Sequence, residues 1–167
     1  RPTDVVKPLD RSPRLELDLR LEAAAISEMA GNIKEDEGFV IPEVSWDHTA
    51  ETVLTTSWVT GIPIRDNAAL DAAGLDRKGL ARTLLQSFLR HAVRDGFFHA
   101  DMHPGNLFAD AATGAIIAVD FGIMGRLSRK ERRFLADILY GFITRDYRMI
   151  AERHFEIGYV PKHQSLE

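Results

Sequence analysis

The chain has no cysteine. That excludes disulfides, thiolate metal sites and a cysteine nucleophile, and it fits a reducing compartment. No apolar run approaches the roughly 18 residues needed to cross a bilayer, and no secretory signal is legible. Positive charge is not in excess: 21 Lys and Arg stand against 25 Asp and Glu, for a net charge of −4. Nothing in that balance recommends nucleic acid as a partner. Repeats and low-complexity tracts are absent too. What remains is ordinary for a globular protein, 45% hydrophobic and 28% charged over 167 residues. That is enough for one domain with a real core. The chain begins with Arg1 and stops in polar sequence between Pro161 and Glu167, so a fragment cut at both ends is expected.

Residues 1 to 13 hold three prolines and read as a lead-in. Ser12-Pro13 then resembles a helix start, and Leu15, Leu19, Ala23 and Ile26 repeat at helical spacing. The spacing predicts a helix from Arg14 to Ala30, stopped by Gly31-Asn32. It carries Glu16, Asp18 and Glu22, for which a solvated acidic face is the plain reading. Val44 to Trp46 and Thr52 to Val59 are predicted to pair as a hairpin across a turn at Asp47 to Ala50. Gly61, Ile62, Pro63 and Ile64 read as a linker between a small sheet-bearing part and a helical part. Helices are predicted near Asn67 to Ala73, from Asp76 to Asp95, from Ser128 to Thr144 with Ser128 and Glu131 as a capping box, and from Arg145-Asp146 to Ile157. The pattern is α+β, with a boundary near residue 60.

The most informative stretch runs from Gly96 to Gly122 and reads GFFHADMHPGNLFADAATGAIIAVDFG. Asp101, Asn106 and Asp120 sit beside or between strand-like apolar runs. Asp101 and Asn106 form a D-x-x-x-x-N spacing around Pro104-Gly105, a tight bend. Gly114 turns a hairpin, and Ile116 to Val119 lead to Asp120. An Asp at the first position can accept or orient a hydroxyl proton. The Asn amide oxygen and the Asp120 carboxylate are oxygen ligands of the kind Mg²⁺ prefers, and Gly122 is expected to take a conformation other residues resist. Together these are parts phosphoryl transfer needs. The order H-x-D-x-x-x-x-N, then an apolar strand ending in D-F-G, matches the protein-kinase signature. Two other readings stand beside it. His99, Asp101 and His103 form an H-x-D-x-H run, as in metal-dependent hydrolases. Alternatively His99 packs as a scaffold residue, Asp101 caps a turn and His103 serves loop structure.

FFHADMHPGNLF, followed by AVDFGIMGRL, closely resembles the UbiB/ADCK atypical kinases of the protein-kinase-like superfamily. The His-Pro-Gly between Asp101 and Asn106 separates that family from ordinary protein kinases. ELDLRLEAA is similar to its E-x-D motif, met at Glu16 to Asp18 and followed by Glu22, and FITRDYRMIAERHFEIGYVP is similar to its C-terminal lobe. The resemblance implies an α+β, protein-kinase-like fold, with part of an N-lobe over residues 1–60 and a truncated, mostly helical C-lobe over 61–167. It implies ATP or ADP with Mg²⁺. Asp101 would be the catalytic carboxylate, with Asn106 and Asp120 on the metal. Glu22 would pair the nucleotide-binding lysine. Glu16 and Asp18 would meet a lysine-bearing helix over the cleft. Ser57 and Val59 would lie in the hinge against adenine, where family members often have Met-Glu in place of Thr56-Ser57. The implied role is an ATP-dependent kinase or ATPase supporting ubiquinone biosynthesis at the cytoplasmic side of a bacterial inner membrane, held there by parts outside this chain. The alternative is a nucleotide-switched binding module for lipid quinone precursors or biosynthetic enzymes, without phosphotransfer. The K-x-G-Q helix, the Ala-rich phosphate loop and the strand lysine are not in the sequence. By itself the chain is therefore expected to bind nucleotide weakly or not at all.

Overall fold

The computed structural model describes residues 18–158 and 160. In chain order its elements are α1 (Leu19–Asn32), β1 (Phe39–Val40), a 3₁₀ turn (Trp46–His48), β2 (Ile62–Pro63), α2 (Asn67–Ala72), α3 (Arg77–Arg90), a π-helical turn (His91–Asp95), β3 (Phe97–His99), β4 (Leu107–Ala109), β5 (Ile116–Ala118), β6 (Met124–Arg126), α4 (Arg129–Thr144) and α5 (Tyr147–Ile157).

Helix α1 begins later than its periodicity suggests. Asp18 is extended, and its carboxylate accepts the Arg20 backbone N–H, satisfying one of the donors a helix start leaves open. The predicted start at Ser12-Pro13 lies outside the described residues. At the other end the helix runs through Gly31, which faces open space. Ala23, Ile26 and Met29 form its buried stripe.

Four strands form one sheet in the order β1-β5-β4-β2. Strand β1 runs parallel to β5, with Phe39 opposite Ile116. Strands β4 and β5 are the hairpin expected around Gly114, with Leu107 opposite Ala118. The Ile62–Pro63 segment, read as linker, is an edge strand against β4. Its length explains the misreading: two residues display no period, and proline is tolerated at an edge. A second sheet pairs β3 with β6 and puts Phe98 opposite Gly125. A Cβ at Gly125 would collide with the tip of the Phe98 ring, so glycine is what leaves the ring its place on that strand.

The expected hairpin between residues 44 and 59 is not a two-stranded ladder. Only isolated antiparallel bridges form, Val44 with Thr56 and Ala50 with Val53. Its turn is a 3₁₀ helix, where Thr49 and Thr55 hydroxyls donate to the Ser45 and His48 carbonyls. Side chains take the places of ladder partners there. The helices otherwise match their predicted spans. The Ser128–Glu131 capping box is formed, and Gly158 ends α5 in the left-handed region.

The core joins α1 to the sheet and to α2 and α3 through Ile26, Met29, Phe39, Leu70, Leu80, Leu107, Ile116 and Phe121. Full burial of side chains such as Met29 or Ile116 contributes about 1.5–3 kcal/mol each. A charged cluster pins the α1–β1 loop to the π turn. Arg94 donates to both carboxylate oxygens of Asp36, at 2.6 and 3.0 Å, to the Asn32 carbonyl and to Asp95. Among the described residues no helix is long and apolar enough to cross a membrane.

Candidate functional site

The site forms where β4 and β5 leave the sheet. Beyond the Leu107–Ala118 pair, the Val119 N–H donates to the Asn106 carbonyl at 2.9 Å. Asn106 is thus held opposite Val119, one residue short of Asp120. Between β3 and β4 the loop is fastened from inside by His99, which is fully buried. Its Nδ1 accepts the Asp101 backbone N–H at 3.2 Å, so the ring proton sits on Nε2, 3.2 Å from the Val119 carbonyl it serves. His99 is therefore the scaffold residue, tying the loop to the end of β5. The bend at Pro104-Gly105 is a tight turn closed by the Asn106 N–H on the His103 carbonyl at 2.8 Å. Asn106 Nδ2 donates back to the Asp101 carbonyl at 3.3 Å, which turns Oδ1 to the other side of the amide. Asp101 is exposed, and among the described residues its carboxylate has neither a hydrogen bond nor an ion pair.

Asp120, not Gly122, takes the unusual backbone. Its φ is 63°, in the left-handed region, whereas Gly122 is not there. An Asp tolerates this better than most residues, but a non-glycine there persists only where the surroundings enforce it. Here the enforcement is visible on both sides. Val119 is bonded to Asn106 before it, and Phe121 is buried after it. The Phe121 N–H donates to Glu22 Oε1 at 2.9 Å. The twist leaves the Asp120 side chain exposed, with one long contact of 3.4 Å from the Gly122 N–H.

Glu22 is half-buried on α1. Burial pushes its carboxyl above the ordinary glutamate range; the Phe121 N–H opposes that shift, the neighbouring Asp120 charge adds to it and His99 opposes it. No basic side chain meets Glu22 among the described residues.

A cavity of about 540 Å³ brings Glu22 and Asp120 together with Ser57 and Val59. Ile26, Leu54 and Phe108 supply apolar wall. Ser57 is fixed there from Glu43, whose carbonyl takes the Ser57 N–H at 2.8 Å and whose N–H donates to Ser57 Oγ at 2.9 Å. Asp101 and Asn106 stand on the adjoining loop, not in the cavity wall. Asp18 is elsewhere: it caps α1 and grips Arg20 at 2.7 and 2.8 Å, a contact that holds its carboxyl below the usual range. Glu16 lies outside the described residues. The H-x-D-x-H reading loses its geometry, because both His99 nitrogens serve backbone groups and His103 Nδ1 accepts the Gly105 N–H. No trio of His, Asp or Glu suited to a metal forms among the described residues. The pair that fits Mg²⁺ is chemically different, a carboxylate and an amide oxygen, both hard donors.

Sequence reading did not find the Glu22–Phe121 bond, because it spans 99 positions and one partner is a backbone N–H. Nor did it find the apolar wall, since Ile26 reads as helix core and Leu54 and Phe108 as strand.

Comparisons with known proteins place the chain in a family. The ABC1 atypical kinase-like domain matches residues 1–154. The chain is 41% identical to a "Probable protein kinase UbiB" of Xylella fastidiosa, over all of this chain and 31% of that protein. It is 42% identical to the protein of the same name in Marinobacter nauticus, over 96% of this chain and 30% of that one. The chain thus spans under a third of the length of these curated relatives. Among solved structures, Rv3197 of Mycobacterium tuberculosis, determined in complex with erythromycin, matches 98% of this chain and 41% of its own. The TM-score is 0.73 at 24% identity, which shares the fold. That fold is α+β and kinase-like, and the chain belongs to the ABC1 atypical kinase-like family.

Proposed function

We propose that the protein is an ATP-dependent atypical kinase or ATPase of the UbiB type, with Mg²⁺-dependent phosphoryl chemistry, acting in ubiquinone biosynthesis. The observation that carries the reading is the convergence of Glu22, Asp120 and the Ser57–Val59 segment on one cavity, with Asn106 held a single register step from Asp120. The apolar wall suits a flat base, and the Ser57–Val59 backbone suits its edge. Asp120 and Asn106 would hold Mg²⁺, which when bound supplies positive charge against the phosphates. Asp101, with its backbone fixed by His99 and its carboxylate unengaged, orients the attacking hydroxyl and takes its proton. Glu22, desolvated and with no basic partner among the described residues, is a seat for a lysine ammonium. The division near residue 60 into the end of a small lobe and a helical lobe belongs to the same reading, as does the pathway, which rests on similarity to proteins named UbiB.

The test is nucleotide binding by calorimetry in the full-length polypeptide. Asp120→Asn is expected to lose Mg²⁺-dependent affinity for ATP and ADP without a change in thermal stability beyond a degree or so. Unchanged Mg²⁺-dependent binding would sink the assignment.

A further inference from the structure

His103 is left over. It lies between Asp101 and Asn106, it is exposed, and the reading above gives it no work. Its ring is nevertheless held. Nδ1 accepts the Gly105 N–H at 3.1 Å, and the His103 carbonyl accepts the Asn106 N–H at 2.8 Å. With Nδ1 used as an acceptor, the proton of the neutral ring is on Nε2. Among the described residues Nε2 has no partner, and it is the edge turned away from the turn. Gly105 keeps the seat open: a Cβ there would stand 3.1 Å from Nδ1, with nothing else but the same ring within 4 Å. Gly105 is not in the left-handed region, so its backbone does not require glycine. The ring does. A histidine serving only the turn would need Nδ1 alone, and Asp or Asn offers a shorter acceptor for that task.

We infer that His103 is a phosphate-contacting residue, whose Nε2–H donates a hydrogen bond to a non-bridging oxygen of the terminal phosphate of bound ATP. This rests on the nucleotide reading of the site. In the transfer, the bond from the terminal phosphorus to the bridging oxygen of the departing ADP breaks. A bond to the oxygen of an acceptor hydroxyl or water forms, and that hydroxyl's proton passes to Asp101. His103 keeps its proton throughout, and its donor steadies the charge on the oxygens between the two partners. Being directional, the donor favours a terminal phosphate over the shorter ADP.

The test compares ADP with the non-hydrolysable β,γ-imido analogue of ATP, both with Mg²⁺, by calorimetry on the full-length polypeptide. His103→Leu is expected to lower affinity for the analogue about tenfold and to leave ADP unchanged. His103→Gln, which keeps an N–H donor at similar reach, restores the analogue to within about threefold. Gly105→Ala displaces the ring and reproduces the selective loss, but has no further effect in the His103→Leu background. If His103→Leu fails to fold, the Gly105→Ala and His103→Gln pair still decides. Equal loss for both nucleotides, or no loss for either, overturns the role of His103 while leaving the nucleotide site standing. Wild-type protein that binds neither nucleotide overturns both.

Discussion

Two acidic clusters in this molecule have opposite environments. Around Asp36, whose side chain is 6% exposed, two guanidiniums and a buried histidine close in: Arg94 at 2.6 Å, Arg90 at 3.6 Å and His91 at 3.7 Å. Its carboxyl is held below the usual range, chiefly by the Arg94 hydrogen bonds. In the cleft, Glu22, Asp120 and Asp101 have no basic partner among the described residues, and Glu22 is pushed up instead. The first cluster is complete and its effect is structural. The second is a set of negative groups that no basic side chain among the described residues answers. Local carboxylate density therefore says little about function; whether the charges are already answered says much more.

Breaking each cluster in turn separates the two. The largest effect is expected from Asp101→Asn, which removes the proposed base and should lower nucleotide turnover about 10²–10⁴-fold. Stability stays within about 0.5 kcal/mol, because nothing among the described residues leans on that carboxylate. If turnover is lost while nucleotide still binds and quinone synthesis stays intact, the binding-module alternative gains. Arg94→Ala reverses the pattern. It strips a buried carboxylate of its main partner and should cost about 2 kcal/mol in urea unfolding. That is below the 3–5 kcal/mol typical of a wholly buried pair because the guanidinium is 44% exposed. Nucleotide affinity should not move. A smaller effect is expected from Glu22→Gln, which keeps an oxygen for the Phe121 N–H and removes the desolvated charge. The folded pKa of Glu22 is raised, so the wild type's deficit is absent below the ordinary glutamate range near 4.5 and develops as pH rises through the folded value. Glu22→Gln should therefore be the more stable protein at pH 7, with the two curves merging below pH 4.5. Parallel curves would mean that Glu22 is not desolvated in the way its position implies.

The contrast also marks what the sequence could and could not reveal. The loop from His99 to Asn106 and the strand to Asp120 were legible because their partners lie within about twenty positions and carry a spacing. The helices followed from their periodicity and caps. The sheet order was not legible, since β1 and β2 are two residues each and are strands only because β5 and β4 lie beside them. Strand β6 was missed for the same reason, its Gly125 having no side chain to show a period. The Asp36 cluster was not legible, because Arg94 sits 58 positions away. The left-handed twist fell at Asp120 and not at the nearby glycine, since the bonds at Val119 and Phe121 set it, and neither is written in local composition.

His91 gives the finest test of the structural cluster. It is fully buried in the π turn, with both ring nitrogens lacking hydrogen-bond partners and its ring edge-on to Phe39 at 4.9 Å. Four charged groups face it. Asp36 and Asp95 favour its protonation, while Arg90 and Arg94 oppose it. Burial is the largest influence, and the folded pKa lies below the ordinary value of 6.5. A group buried neutral stabilises above its unfolded pKa, and that contribution is lost as pH falls through the folded value. Wild-type stability should therefore begin to decline below about pH 6.5, well before Asp36 can contribute, since its own lowered pKa acts only below 3.8. His91→Phe keeps the aromatic contact and cannot be protonated, so urea midpoints measured between pH 7.5 and 5 should flatten in the variant. If the variant declines as steeply as wild type, the acid sensitivity lies elsewhere, and Asp36 is held by its arginines alone.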